Sequence, residues 1–297
     1  MKQVLAVFLC IDIFIAQDIN NIVTHPASIK VSARDRVKTD KRDSLKMAKQ
    51  LSNGELKGIN VPSEEREQFR ILTRTRDQLA EHRKRISNQI KSLLFTQGLI
   101  DLQDDTRVGE GWLKKIQRFE MPEELKYSIN LFIQIWLDLD SKLKEILKKL
   151  GEQAKKDSID IMYRSVPGIG ALSARILANE LGDMSHFYNE KGLFSYTGLT
   201  PSEYSSGEHK CLGSISRQGK AVLRMLLVQI AWKSIKQDRR LLEIFERISK
   251  KAGKKRAIVA IARKIIGCIR ACFKTGALWC ANAPVNKEFL NTKVEAC

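Results

Sequence analysis

Two sets of residues in this sequence have the types and spacing for chemistry on a phosphodiester. In DRVKTDKRDS, residues 35–44, Asp40 and Asp43 stand three apart among Arg36, Lys38, Lys41 and Arg42. At the start of a helix, positions i and i+3 share a face, so both carboxylates can aim at one site. Such a pair inside a basic run can hold a divalent metal against a nucleic-acid phosphate, as two-metal phosphoryl-transfer enzymes do. Alone, Asp-x-x-Asp is a weak signal, because a capping Asp followed by a solvated Asp is common. Hard cations also need a fuller shell of oxygen ligands than two carboxylates provide, and no Glu precedes Glu55.

The second set lies in PSEYSSG, residues 201–207, followed by GSISRQGK (213–220) and then Leu223 and Arg224. A serine beside glycine in a loop has an exposed hydroxyl and a backbone free to take unusual angles. Ser205, Ser206 and Ser216 are the serines in play. Arg217, Lys220 and Arg224 follow on the loop and the next helix, where they can clamp a phosphate. A serine attacking a phosphodiester needs such cations, since charge builds on the phosphoryl oxygens. The bland alternative is an ordinary polar surface loop.

A third feature is RSVPGIGALSARILANELGD, where Pro167, Gly168 and Gly170 precede an amphipathic run. This pattern resembles a helix-hairpin-helix turn, in which hairpin amides approach a DNA phosphate without side-chain obstruction. The alternative is a tight turn before a helix.

The charge balance names the class of partner. Against 34 acidic residues stand 52 Lys and Arg, a net charge of +18, which points to a polyanion. Between residues 210 and 274 there are 18 Lys and Arg but only Asp238, Glu243 and Glu246 on the acidic side. That window is rich in apolar residues at helical spacing, so it reads as folded helices with a basic face, and nucleic acid is the preferred partner. The six cysteines form no CxxC pair and no zinc spacing. Reduced thiols in a cytoplasmic, nucleoid-associated protein are the default reading. The opening MKQVLAVFLCIDIFIAQ loosely resembles a signal peptide or an anchor, but Asp12 interrupts it and its positive region is thin. No membrane role is expected.

The elements that must position these residues follow from periodicity. Residues 4–15 favour a buried strand by β-branched and aromatic content, and residues 19–31 read as a short strand ending at Pro26. Thr39 or Asp40 would cap a helix ended by Gly54. A long helix is expected over 63–97, with Leu72, Leu79, Ile86 and Leu93 seven apart. A second, over 123–151, carries Ile129, Trp136, Leu143 and Leu150 on one stripe and Phe132, Leu139 and Ile146 on another. Together they predict an antiparallel coiled coil or helical stalk, joined through a connection over 98–112. A helical domain begins near residue 160. Residues 192–216 read as a loop, helices resume at Lys220 and run to Gly276, and a tail follows from 277.

Two segments, VPGIG…FSYTGLTPSEYSSG…GSISRQGKAVLR and DRVKTDKRDSLKMAKQL…GEL…VPSEE, resemble insertion-sequence family one-ten. These are the DEDD transposases related to the Piv and MooV invertases. The resemblance covers about residues 20–276. It implies an RNase H/RuvC-like α/β domain carrying four acidic residues, then a coiled coil, then a helical domain supplying a serine. It also implies magnesium-dependent DNA recombination through a covalent serine–DNA intermediate, self-association with composite active sites, and a structured guide RNA. By position, Asp40 and Asp43 match the last two acids of the quartet, and so its metal ligands. Ser206 matches the serine, with Ser205 a near competitor.

The first Asp and the Glu of the quartet have no clear match, since only 28 residues separate Asp12 from Asp40. The expectation is a mostly α chain: a partial RuvC-like domain over 1–58, a coiled coil over 59–155 and a serine transposase domain over 160–276. A truncated N-terminal domain with an incomplete metal site would make it a defective transposase. A non-catalytic basic nucleic-acid-binding oligomer is the alternative.

Overall fold

The computed structural model describes residues 11, 13–26, 29–31, 39–56, 58–101, 107–204, 206, 211–216 and 218–279. The chain divides into two compact units, Met1–Glu64 and Glu65–Cys297.

In the first unit, helix α1 (Asp40–Ser52) is capped by Thr39, whose hydroxyl accepts from the Arg42 N–H at 3.4 Å. Asp40 and Asp43 occupy its first turn and Lys49 its last, each sign on the side the helix dipole favours. Gly54, at φ 67°, follows its end. Gln50 brackets Lys30, accepting from its N–H at 3.1 Å and donating to its carbonyl at 2.9 Å.

The strand expected over 4–15 is corrected where it can be seen: residue 11 and residues 13–16 are helical, while 4–10 and 12 lie outside the described residues. Residues 19–25 form no strand either. β-Branched residues favour strands when a neighbouring ladder takes up the backbone groups. Here the Gln17 N–H turns back to the Ile13 carbonyl at 3.2 Å instead. Among the described residues, the first unit contains no strand.

Among its described residues, the second unit is helical apart from one hairpin. Helices α2 (Glu64–Thr96), α3 (Glu110–Ile116) and α4 (Glu123–Lys156) come first, then α5 (Ser158–Arg164), α6 (Ala171–Leu181) and α7 (Glu190–Thr197). Strands β1 (Pro201–Glu203) and β2 (Leu212–Ile215) precede α8 (Ala221–Ser234), α9 (Arg239–Ala252) and α10 (Lys254–Thr275).

Helices α2 and α4 run antiparallel, since Arg83 pairs with Asp140 while Arg66 reaches Asp157 beyond the end of α4 at 3.7 Å. Trp136 Nε1 donates to Ser87 Oγ at 2.9 Å. The stripe Ile129, Trp136, Leu143 and Leu150 is buried as expected, whereas Phe132, Leu139 and Ile146 are half-buried, as are Leu72, Leu79, Ile86 and Leu93. Ile90, Leu94, Leu113, Ile116, Ile129, Ile133 and Trp136 close the far end of this helical hairpin. Helix α3 thus starts inside the segment expected as a plain connection, because Trp112, Leu113 and Ile116 complete that cluster.

The C-terminal core is built around α10. Ala257, Ile258, Ile261, Ala262, Ile265, Ile266 and Ile269 are all buried against α5 to α9. Helix α7 and the β1–β2 hairpin stand where a loop was expected over 192–216. The Gly and Ser content there hides a two-turn helix: the Asn189 side chain caps it at the Gly192 N–H, 2.9 Å, Leu193 and Thr197 are buried, and Gly198 ends it at φ 68°. Asp238 caps α9, accepting from the N–H groups of Arg240 and Leu241 at 2.9 and 3.3 Å. No described helix is long and apolar enough to cross a membrane.

One buried group opposes this fold. Asp160 on α5 is 1% exposed, neither of its oxygens accepts a hydrogen bond among the described residues, and Arg175 Nη1 stands 3.9 Å away. Burial pushes its carboxyl above the usual range, against the pull of Arg175 and Arg164. An acid with a raised folded pKa destabilises once it must ionise. Asp160→Asn is therefore expected to add about 1 kcal/mol at neutral pH. The gain should fade as pH drops to the ordinary aspartate range, where both states are protonated. Denaturant titrations at pH 7.5 and pH 3.5 check this; a variant less stable than the parent at pH 7.5 would show that Asp160 is a useful anion.

Candidate active site

Strands β1 and β2 pair antiparallel, Pro201 opposite Ile215 and Glu203 opposite Leu212, with an irregularity between. Beyond the ladder, the Tyr204 N–H donates to the Cys211 carbonyl and the Ser216 N–H to the Thr200 carbonyl, both at 2.9 Å. Ser206 follows in an isolated bridge and is exposed. Its neighbours Ser205 and Gly207, and also Arg217, lie outside the described residues. Ser216 sits at the opposite, base end of the hairpin and is half-buried.

The base of the hairpin is clamped backbone to backbone. Gly219, at φ 98°, lies where a Cβ would stand 2.6 Å from the carbonyl oxygens of both Ser195 and Tyr196. Facing it, a Cβ on Gly198 would overlap the Arg224 guanidinium and the Gln218 carbonyl. The Lys220 N–H donates to the Tyr196 carbonyl at 3.0 Å. These two glycines let the strap of residues 218–220 lie on the end of α7, which anchors the chain just after β2.

Of the three expected phosphate-clamping cations, Lys220 is held in the fold. Its ammonium pairs with Glu180 and stands 5.1 Å from the centre of the Tyr196 ring. Glu180, on α6 with a 9% exposed side chain, also receives Arg74 Nε at 3.2 Å and Arg70 Nε at 3.8 Å. Burial alone would raise the Glu180 carboxyl, but the hydrogen bond from Lys220 and the charges of Lys220, Arg74 and Arg70 bring it below the usual range. Arg224 is half-buried on the first turn of α8.

Sequence reasoning missed this network. Arg66, Arg70 and Arg74 recur every four residues on one face of α2. The first two donate to the last carbonyls of α6, Arg66 to Ala178 at 2.8 Å and Arg70 to Asn179 and Glu180, each at 2.9 Å, while Arg74 donates to the Glu180 carboxylate. The arginine spacing was the available signal.

The Pro167–Gly168 turn is a tight one, with the Ile169 N–H on the Val166 carbonyl at 3.1 Å and Gly168 at φ 88°. A Cβ at Gly168 would stand 2.8 Å from the Ser234 backbone nitrogen, so this glycine serves the approach of α8. Gly170 is exposed at the N-cap of α6 without a side-chain cap.

Asp40 and Asp43 belong to the first unit and Ser206 to the second. Asp40 is exposed, and Asp43 is half-buried with Lys46 at 3.5 Å. Among the described residues, no group of three or more His, Cys, Asp or Glu forms a metal cradle.

A family model described as "Transposase IS116/IS110/IS902 family" matches residues 162–246, and an IS110-type DEDD transposase model matches residues 9–96. The chain is 28% identical to a putative transposase of Sinorhizobium fredii, y4qE, over 71% of this chain and 52% of that protein. It is 26% identical to the transposase for insertion sequence element IS1111A of Coxiella burnetii, over 84% of this chain and 70% of that one. With the transposase for element IS1328 of Yersinia enterocolitica it shares 28% identity, over 67% of this chain and 60% of that one. The chain thus spans between half and seven-tenths of these curated relatives.

Proposed function

We propose, because the chain belongs to the IS116/IS110/IS902 family of transposases, that it is a DNA recombinase whose covalent step runs through Ser206. The observation that carries this reading is the exposed Ser206 on a hairpin whose base is fixed by Gly198 and Gly219. In the step proposed, Ser206 Oγ loses its proton and bonds to the phosphorus of one strand. The bond from phosphorus to the strand's leaving oxygen breaks, and that oxygen takes up a proton to become a hydroxyl. A phosphodiester is exchanged for a phosphodiester, so a second strand's hydroxyl can reverse the step and rejoin. Arg217 neutralises the phosphoryl oxygens, Lys220 and Arg224 hold the base of the hairpin, and the exposed Gly170, after the turn at Gly168, leaves the start of α6 open to a DNA backbone.

A DEDD domain implies metal-dependent chemistry. Asp40 and Asp43 are two carboxylates on one helical turn, and one of them already faces Lys46. Magnesium asks for an octahedral shell of oxygens, so the described residues do not complete a site, and no step is derived through the ion. This favours a second reading, in which the chain is defective alone and acts as a basic nucleic-acid-binding oligomer. The half-buried stripes of α2 and α4, with Leu131, Ile135 and Leu147 exposed, support self-association along that hairpin as a coiled coil. A structured guide RNA is a further partner on this reading.

The deciding experiment incubates the full chain and magnesium with labelled duplexes tiling both flanks of its gene. A denaturation-resistant protein–DNA adduct is expected, with the phosphate mapping by peptide mass spectrometry to Ser206 and lost in Ser206→Ala. Binding without any adduct would leave only the second reading, and a phosphate mapping to Ser205 or Ser216 would displace Ser206.

A further inference from the structure

The corner between α9 and α10 carries charge that the fold does not use. Lys250, Lys251, Lys254, Lys255 and Arg256 fall within seven residues on either side of Gly253, and all five are exposed. None of them makes an ion pair or a hydrogen bond through its side chain among the described residues. From Arg247 to Lys274 the sequence contains no Asp or Glu at all.

Position makes this cluster costly. Gly253, at φ 81°, ends α9 and begins α10, and α10 has no side-chain cap and no acid in its first turn. Beyond Arg256 the helix enters the core, with Ala257, Ile258, Ile261 and Ile265 at most 4% exposed. Its positive end therefore reaches solvent only here, where three cations sit on the turn that favours anions. An anion lying across the corner would satisfy the open N–H groups and neutralise the cations together.

We propose that the α9–α10 corner is a DNA-backbone contact surface, gripping the phosphates of a duplex through Lys250, Lys251, Lys254, Lys255 and Arg256. It is separate from the residues named for the serine step, and it rests on the reading of the chain as a nucleic-acid-binding protein. A membrane fits poorly, because no large apolar residue is exposed between 247 and 275 among the described residues. A single strand fits poorly too, since the corner offers no aromatic ring on which bases could stack.

The test uses the full chain with two triple variants at Lys254, Lys255 and Arg256, one to Gln and one to Glu. Binding of a fluorescein-labelled DNA duplex is followed by anisotropy across a salt series, with melting temperature measured alongside. The Gln variant is expected to bind about tenfold more weakly or worse, with a log–log salt slope shallower by about 2.7, from roughly 0.9 per phosphate contact. In the Glu variant binding should fall further while the melting temperature holds or rises, since acids suit that turn. Opposite signs separate lost contact from lost fold. Affinity and slope unchanged from a wild type that binds would overturn the proposal, as would a loss confined to an RNA hairpin with duplex DNA binding intact. A wild type with no affinity for either nucleic acid would instead remove the reading on which the proposal rests.

Discussion

Glu180→Ala is expected to cost about 3–5 kcal/mol of stability, the usual loss when one partner of a buried ion network is removed. At roughly 2–4 °C per kcal/mol for a unit of this size, the melting transition should fall by about 10 °C. Three cations converge on this carboxylate: Lys220, Arg74 and Arg70. Arg70 is itself 9% exposed, so the alanine variant leaves it buried with less counter-charge. Glu180→Gln keeps the volume and one acceptor and should lose less. The loss should also depend on pH. Because the folded carboxyl lies below the usual range, its contribution is complete above the ordinary glutamate value. It shrinks as pH falls through the folded value, so wild type and Glu180→Ala should converge in acid. A difference under 1 kcal/mol at pH 7, by denaturant titration, would mean that the network is ornamental.

Gly219→Ala is expected to cost about 3–4 kcal/mol, from two sources. A side chain at φ 98° is strained by about 1–3 kcal/mol. The added methyl also stands 2.6 Å from two backbone carbonyls that cannot swing aside, an overpacking cost of about 1–3 kcal/mol. Gly276→Ala is the control: its φ is 70° but nothing lies within 4 Å of a Cβ there, so about 1 kcal/mol is expected. Similar losses at both positions would show that backbone strain alone matters and that the clamp under the hairpin does not. A strap lifted from α7 should also increase amide exchange in β2 in the Gly219 variant and not in the control.

Those two sites show what could be read from the sequence. The long helices declared themselves because Ile129, Trp136, Leu143 and Leu150 repeat over four turns and more, and the Thr39 cap and the end at Gly276 follow local rules. Helix α7 and the hairpin were read as loop, since a two-turn helix of Gly, Phe, Ser and Tyr has no usable period and a short strand has little room to alternate. The glycines of GLTP and RQGK are plain to see in the sequence. That Gly198 and Gly219 face each other is a tertiary fact, set by how α7 meets the strap. The carboxylate partner of Lys220 was equally hidden, forty residues upstream on a different helix. In the first unit, apolar β-branched residues suggested strands, but that inference presupposes neighbours to pair with, and a run of sequence does not supply them.

The arginine row on α2 carries a consequence for how the polypeptide is made. Its acceptors on α6 lie up to 112 residues further along the chain, so at roughly 5–20 residues per second of synthesis the guanidiniums wait many seconds for them. The far end of the α2–α4 hairpin needs nothing beyond about residue 136, so it can close on the nascent chain first, and the base zips up last. Until it does, Glu67 on the same helix is the local carboxylate for Arg70 and Arg74, and the row as a whole keeps a positive excess beside the ribosome's own RNA, the densest polyanion within reach. A chain stalled between α4 and α6 would be held there by the residues that later anchor the finished fold.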